Sequence, residues 1–367
     1  MYNLPTLIWS IDPANNGILI ALKAKSYTVS RFMICSLRDH TRVLMQDHFY
    51  LNEIIEEIIN AQFWDLLNQV YEMNRGFDYS AHMVNIARRG LTGGLKALRS
   101  YAMNNCRGLA YLAATFGHLE FLKELDAMGL LRVSSTNLRN GDSAIHCAAL
   151  HGRTDCLEFL VDRLGCDFLS LEDQVGFMPI HLAAHSGNPD TLKAIIRRYP
   201  HYKSKFLRFS SFKVSSPLNI AISCGFPEAS RILIEHFPEL LKYKDESKNT
   251  VIHLAISVLD DEILELLLDH VSPETISARN IKGNTALHFA AEISSSTKVQ
   301  ILMRTGRFTA LERNNFGRTP VSLYKQWHFN ILKSELMRIF KLKTEDQVDE
   351  ALEVNKKHYV SINIKYF

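Results

Sequence analysis

The chain has 367 residues, 47% of them hydrophobic and 22% charged, with a formal net charge of +3. So small an excess of positive charge gives no argument for binding nucleic acid or a membrane surface, and no apolar run approaches the ~20 residues that a bilayer span needs. The six cysteines are scattered without C-x-x-C spacing, as in a reduced, cytoplasmic protein.

In chain order, the first residues lack a basic region followed by an apolar run, so no secretory leader is expected. Ser10-Ile-Asp-Pro-Ala-Asn-Asn-Gly17, followed by Ile18-Leu-Ile-Ala-Leu22, resembles the first strand and turn of RNase H-like nucleases. That would make Asp12 a magnesium ligand, but a nuclease needs further strands and carboxylates. A solvent-facing turn on Pro13 and Asn15-Asn16-Gly17 accounts for it better. Ile18–Lys23 and Ser26–Leu37 read as two short strands around a turn, a β-hairpin within an N-terminal extension over 1–42.

Leu51-Asn-Glu-Ile-Ile-Glu-Glu-Ile-Ile59 and Phe63-Trp-Asp-Leu-Leu67 then form an amphipathic helix pair, a cap or degenerate repeat over 43–75. The first of them resembles the start of an F-box, which implies docking to a ubiquitin-ligase adaptor. It lacks the usual proline after the leucine, and helix capping explains it better.

From residue 81 the chain repeats itself. Ser143-Ala-Ile-His-Cys-Ala-Ala-Leu-His-Gly152 returns as Met178-Pro-Ile-His-Leu-Ala-Ala-His-Ser-Gly187 and again from Thr285. Copies start at Ala81, Gly108, Ser143, Met178, Ser216, Thr250, Thr285 and Thr319, at intervals of 27, 35, 35, 38, 34, 35 and 34 residues. In each, a first helix begins at the motif and a second follows its glycine, with apolar residues at three- and four-residue steps. Pro189 and Pro227 stand where a second helix starts and a missing N–H costs nothing. Such a period means stacked units, each burying its apolar face against its neighbours.

This pattern resembles the ankyrin repeat, whose consensus begins Thr-Pro-Leu-His-x-Ala. The resemblance covers 81–340 and implies an all-α solenoid of seven or eight helix-turn-helix repeats, with the array over 76–340 and an acidic helix and tail over 341–367. The alanine pairs Ala148-Ala149, Ala183-Ala184 and Ala290-Ala291 let first helices approach closely. Gly141, Gly176, Gly283 and Gly317 suit the turn at a hairpin tip, where Val214 and Lys248 replace glycine in two copies. Leu259 replaces the glycine after one inner helix. Residues 341–355 read as an acidic helix and 359–366 as a strand. The acidic cluster Glu345-Asp346, Asp349-Glu350 and Glu353 resembles the tail of some ankyrin-bearing effectors that intracellular bacteria secrete, although an ordinary solvated helix explains it better.

The histidines His146, His181, His253 and His288 recur at the fourth motif position. Successive units lie ~10 Å apart, too far for equivalent rings to share a zinc ion at ~2 Å. The family uses them to bridge backbone groups between hairpin and helix, and Asn219 has the polar atoms to do the same. Cys147, Cys156 and Cys166 fit no zinc spacing and read as packing residues. No catalytic residue, cofactor or metal is expected.

The resemblance implies a non-enzymatic scaffold, a monomer binding an unidentified partner protein. Its hairpin tips are Arg139 and Asn140, Gln174 and Val175, Ile281 and Lys282, and Asn315 and Phe316. Its inner-helix face includes Arg88, Arg89, Thr115, Phe116, Leu150, His151, His185, Ser186, Glu292 and Ile293. The segment 197–213 holds six basic and five aromatic residues and no acid, which suits an acidic peptide through Lys203, Lys205 and Arg208, or nucleic acid less well. A further alternative places an enzymatic or adaptor activity in residues 1–75, targeted by the array.

Overall fold

The computed structural model describes residues 17–36, 48–104, 108–131, 143–198, 215–324 and 333–352. The chain divides into two compact units, Met1–Phe168 and Leu169–Phe367. Among the described residues the regular structure is helical, apart from one antiparallel bridge between Lys244 and Thr250.

The first unit contains α1 (Gly17–Lys23), α2 (Tyr27–Ser36), α3 (His48–Ala61), α4 (Trp64–Met73), α5 (Ser80–Arg89), α6 (Thr92–Ala97) and α7 (Arg99–Asn104). It continues with α8 (Leu109–Phe116), α9 (Leu119–Ala127), α10 (Ala144–Leu150) and α11 (Thr154–Leu164). Helices α1, α3, α5, α8 and α10 pack one against the next as an inner row, and α4, α6, α9 and α11 do so as an outer row. The edges of Tyr27 and Phe63, with ring centroids 5.2 Å apart, bring α2 to the start of α4.

Residues 17–23 and 27–36 are therefore helices, correcting the expected β-hairpin. Ile18, Leu19, Ala21 and Leu22 are buried while Ile20 is 50% exposed, a helical stripe. A strand would have turned residues 18, 20 and 22 to one face. A run this short does not reveal its period, which is why strand and helix read alike in the sequence.

The second unit opens with α12 (Pro179–Ser186) and α13 (Pro189–Arg198), then α14 (Pro217–Cys224) and α15 (Pro227–His236). Next come α16 (Val251–Ser257), α17 (Glu262–His270), the short α18 (Pro273–Ile276), α19 (Ala286–Glu292) and α20 (Ser296–Arg304). It ends with α21 (Pro320–Tyr324), α22 (Lys333–Phe340) and a helix α23 over 345–352. The inner row is α12, α14, α16, α19 and α21; α13, α15 and α17 pack in series outside it, as do α20 and α22. The acidic helix α23 is anchored by buried Val348 and Ala351, and the Thr319 hydroxyl donates to the Ala351 carbonyl at 2.9 Å.

The motif starts are helix starts. Ser143, Met178, Ser216, Thr250 and Thr285 are the N-cap residues of their inner helices. The alanines at 113–114, 148–149, 183–184 and 290–291 are fully buried, so the close approach they permit is used. Outer helices turn one stripe inward, as with Phe121, Leu122 and Leu125 on α9 or Ile263, Leu264 and Leu267 on α17.

Between the helices of most described pairs, α16–α17 excepted, the chain passes through a left-handed residue. Glycine takes this place at Gly90, Gly117, Gly152, Gly187 and Gly225, whereas Lys25, Gln62 and Ser294 take it with φ of 53°, 58° and 56°. Gln62 and Lys25 thus mark α3–α4 and α1–α2 as pairs of the same construction, without the glycine that would have betrayed them.

Candidate protein-binding surface

Hairpins precede the inner helices α12, α16, α19 and α21, and a polar side chain organises each of these four. In the hairpin over 173–177, the Asp173 carboxylate accepts the amides of Val175, Gly176 and Phe177, each at 2.8 Å. Asn280 accepts from Lys282 and Asn284 at 2.9 and 3.0 Å, and Asn314 accepts from Phe316 and Arg318 at 2.9 and 3.0 Å. Asp245 accepts the Asn249 amide at 2.7 Å. The side chain takes up turn amides that would otherwise lack acceptors. An Asp or Asn five residues ahead of the motif was visible in the sequence but passed unnoticed. Lys248, standing where glycine was expected, completes its tip in the left-handed region with φ 59°.

Neighbouring hairpins of the second unit are tied together. The Ile281 amide donates to the Ser247 carbonyl at 2.9 Å and the Asn315 amide to the Lys282 carbonyl at 3.1 Å. Side-chain amides add Asn280 to Asn249 at 2.9 Å, Asn314 to Asn284 at 2.7 Å and Asn315 to the Ile281 carbonyl at 3.0 Å. Arg279 donates to the Arg313 carbonyl at 2.7 Å and pairs with Glu312. Three consecutive tips, 245–249, 280–284 and 314–318, are therefore held in fixed register. Little freedom remains to be lost when a ligand covers them.

The repeated histidines fasten hairpin to helix. The amides of Ser143, Met178, Thr250 and Thr285 donate to Nδ1 of His146, His181, His253 and His288 at 3.2, 3.0, 3.2 and 3.2 Å. Nδ1 must then be unprotonated, leaving Nε2–H to donate to the next repeat: His253 to the Asn284 carbonyl at 3.1 Å and His288 to the Arg318 carbonyl at 3.2 Å. Asn219 departs from the expected equivalence. Its own amide bonds the Ser216 hydroxyl at 3.1 Å, and its buried Oδ1 has no protein partner.

Burial pushes the pKa of both His253 and His288 down, the latter to about 4, and the carbonyl bonds offset only part of this. The sign follows from the lowered folded-state pKa. Stability is complete above the unfolded value of 6.5 and is lost as pH falls toward about 4. At ~1.4 kcal/mol per pH unit, His288 alone contributes a loss on the order of 3 kcal/mol. Urea unfolding at pH 7 and pH 4.5 is expected to show this drop, shrunken in His288→Gln; an equal drop in both proteins would contradict it.

Cys147 and Cys156 are buried. Burial raises the Cys156 thiol to about 11, so it stays protonated and unreactive at neutral pH. Between α9 and α11 lies an open depression of about 660 Å³ lined by Lys123, Asp126, Phe159, Asp162 and Arg163. Its Arg163 lies across the Phe159 ring and pairs with Asp126 at 3.1 Å, so its charges are already matched within the fold.

The sequence-selected surface residues fall as follows. Arg88, Arg89, His151, Gln174, His185 and Lys282 are exposed, Leu150 is half-buried, and Phe116 and Phe316 are 45% and 55% exposed. Arg89 donates to Asn60 at 2.8 Å, and Phe116 stacks on His118, whose Nε2 meets the Arg88 carbonyl at 2.7 Å. Arg139, Asn140, Lys203, Lys205 and Arg208 lie outside the described residues, as does most of 197–213 and the proposed strand at 359–366.

Paired helices stacked in rows within each unit, with hairpins leading into α12, α16, α19 and α21, define a repeat protein. The model for ankyrin repeats matches residues 109–206 and 180–277. Residues 109–277 of the chain are ankyrin repeats.

Among curated proteins it is 34% identical over 124 residues to leucine-rich repeat serine/threonine-protein kinase 1 of Caenorhabditis elegans, a match covering 33% of this chain and 5% of that protein. It is 25% identical over 189 residues to the human transient receptor potential cation channel subfamily A member 1, covering 50% of this chain and 16% of the channel. The chain thus spans only a small part of the relatives it matches. The solved ankyrin repeat domain of human ASB11 superposes with a TM-score of 0.51 at 21% identity, covering 63% of this chain and 96% of that domain, a likeness of fold. Among the described residues no helix is long and apolar enough to cross a membrane.

Proposed function

We propose that the chain is a non-enzymatic scaffold that captures a partner protein with its hairpin tips and the exposed face of its inner helices. The observation that carries this reading is large apolar side chains held in water at the tips: Val175, Ile281 and Phe316 are 62%, 54% and 55% exposed. Binding energy concentrates in a few such anchors, and burying each yields ~1.5–3 kcal/mol. Arg88, Arg89, Phe116, Leu150, His151, Gln174, His185 and Lys282 would line the remainder. Helices α1 and α3 continue the inner row and α4 the outer row, which favours a structural role for them over a separate activity there. Scattered free cysteines suit a reduced compartment such as the cytoplasm.

The test is capture from lysate with the wild-type chain and with Val175→Ser/Ile281→Ser/Phe316→Ser as parallel baits. A specific partner is expected with the wild type and a loss of at least tenfold with the variant at unchanged Tm. Equal recovery on both baits would remove the tips from the binding surface.

A further inference from the structure

We infer that the three tied hairpin tips of the second unit form a dock for an acidic, extended peptide segment with large apolar side chains three residues apart. This rests on the scaffold reading and specifies the partner of that surface. Two observations lead to it, one of charge and one of spacing.

The tips carry Lys244, Lys248, Arg279, Lys282, Arg313 and Arg318, all exposed. Three acids stand in or beside the same hairpins, Asp245, Glu246 and Glu312, and Glu312 pairs with Arg279, so the six cations leave an excess of three positive charges along the strip. The local field is positive even though the chain as a whole is close to neutral, so an acidic ligand is attracted to this strip in particular.

Within the strip stand Ile281 and Phe316, on adjacent tips joined through Asn315, whose side-chain amide holds the Ile281 carbonyl and whose backbone amide holds that of Lys282. Adjacent repeats lie ~10 Å apart, and an extended chain in the polyproline II conformation advances ~3.1 Å per residue with about three residues per turn. Apolar side chains at positions i and i+3 of such a segment share one face and reach Ile281 and Phe316 on successive tips, while acids beside them meet Lys282 and Arg313 and acids beyond them meet Lys248. A nucleic acid would satisfy the cations and stack a base on Phe316, but it offers the Ile281 side chain no aliphatic counterpart. That favours a peptide over RNA.

The probe is a fluorescein-labelled 15-residue peptide with leucine at every third position and Asp or Glu elsewhere, titrated into the full chain by fluorescence anisotropy. Saturable binding is expected at 50 mM salt, weakening about tenfold by 300 mM through screening. Lys244→Glu/Lys282→Glu and Ile281→Ser/Phe316→Ser are each expected to weaken it at least tenfold while Tm stays unchanged. The idea is overturned by no saturable binding, by equal affinity for the peptide with its acids replaced by Ser and Asn, by indifference to either variant, or by equal affinity for a 15-nucleotide oligouridine. If the peptide fails while the protein capture above still depends on the tips, the scaffold reading stands and this inference alone falls.

Discussion

Alanine at Gly187 is expected to destabilise the protein by roughly 2–4 kcal/mol, lowering the urea midpoint without changing the slope. Gly187 caps α12 with φ 69° and donates to the Ala184 carbonyl, closing the helix end. Left-handed backbone costs a residue bearing a Cβ ~1–2 kcal/mol. Space is the second term. A Cβ here would lie 2.5 Å from the Phe226 ring, which packs over the glycine from the start of α15 in the next pair, and overpacking of this kind costs ~1–3 kcal/mol. His118 over Gly90 and Arg153 over Gly117 repeat the arrangement in the first unit. Phe226→Leu in the Gly187→Ala background should recover the crowding term and leave the backbone term. A loss below ~0.5 kcal/mol, or full rescue by Phe226→Leu, would show that the two demands do not both act at this position.

The other large effect belongs to Lys298. Inner helix α16 lacks the closing glycine: Leu259 stands in its place, fully exposed, and Val258 turns away with φ −83° and ψ 147°. The Val258 amide still donates to the Ala255 carbonyl at 3.3 Å, but α16 lacks the second closing amide that Phe226 supplies to α14. Lys298, 4% exposed on α20, fills the gap. Its Nζ donates to the carbonyls of Ala255 at 3.3 Å, Ile256 at 3.0 Å and Val258, with the Asp261 carboxylate 3.7 Å away.

A cation suits the negative end of a helix, and burial pulls the Lys298 pKa down against the opposing pull of Asp261. Lys298→Met keeps the stem but strands the Ile256 and Val258 carbonyls, at ~1–3 kcal/mol for each group left unmade, whereas Ala255 keeps the Val258 amide. A loss of about 3 kcal/mol in urea unfolding is expected. Leu259→Gly should restore part of it, because glycine lets the chain close the helix end with its own amides. Identical losses with and without Leu259→Gly would mean that Lys298 does not substitute for the missing closure.

These two positions show what the sequence made legible. The period and the motif were readable because each repeat meets the same neighbours, so the same alanines, glycines and histidines recur where the same contacts recur. Ser143, Met178, Thr250 and Thr285 became N-caps as the register required. Departures were visible as departures: Leu259 and Lys248 were recognised as missing glycines. What replaced the glycine was not visible at 259, because Lys298 lies nearly forty residues away and looks like any surface lysine. The helices over 17–36 escaped notice because Lys25 holds their junction where glycine would have signalled it. At Asn219, chemical similarity to histidine suggested a bridge that the shorter side chain does not make. The surface was legible by position only, since fingertip residues do not enter the core that the period enforces.

Photo-crosslinking tests the central claim most directly. A photoreactive phenylalanine analogue is placed at Phe316, on a tied hairpin tip, or at Glu235, exposed on outer helix α15, and the captured partner is added. Crosslinks from position 316 and none from position 235 are predicted; crosslinks from 235 with none from 316 would contradict recognition through the tips.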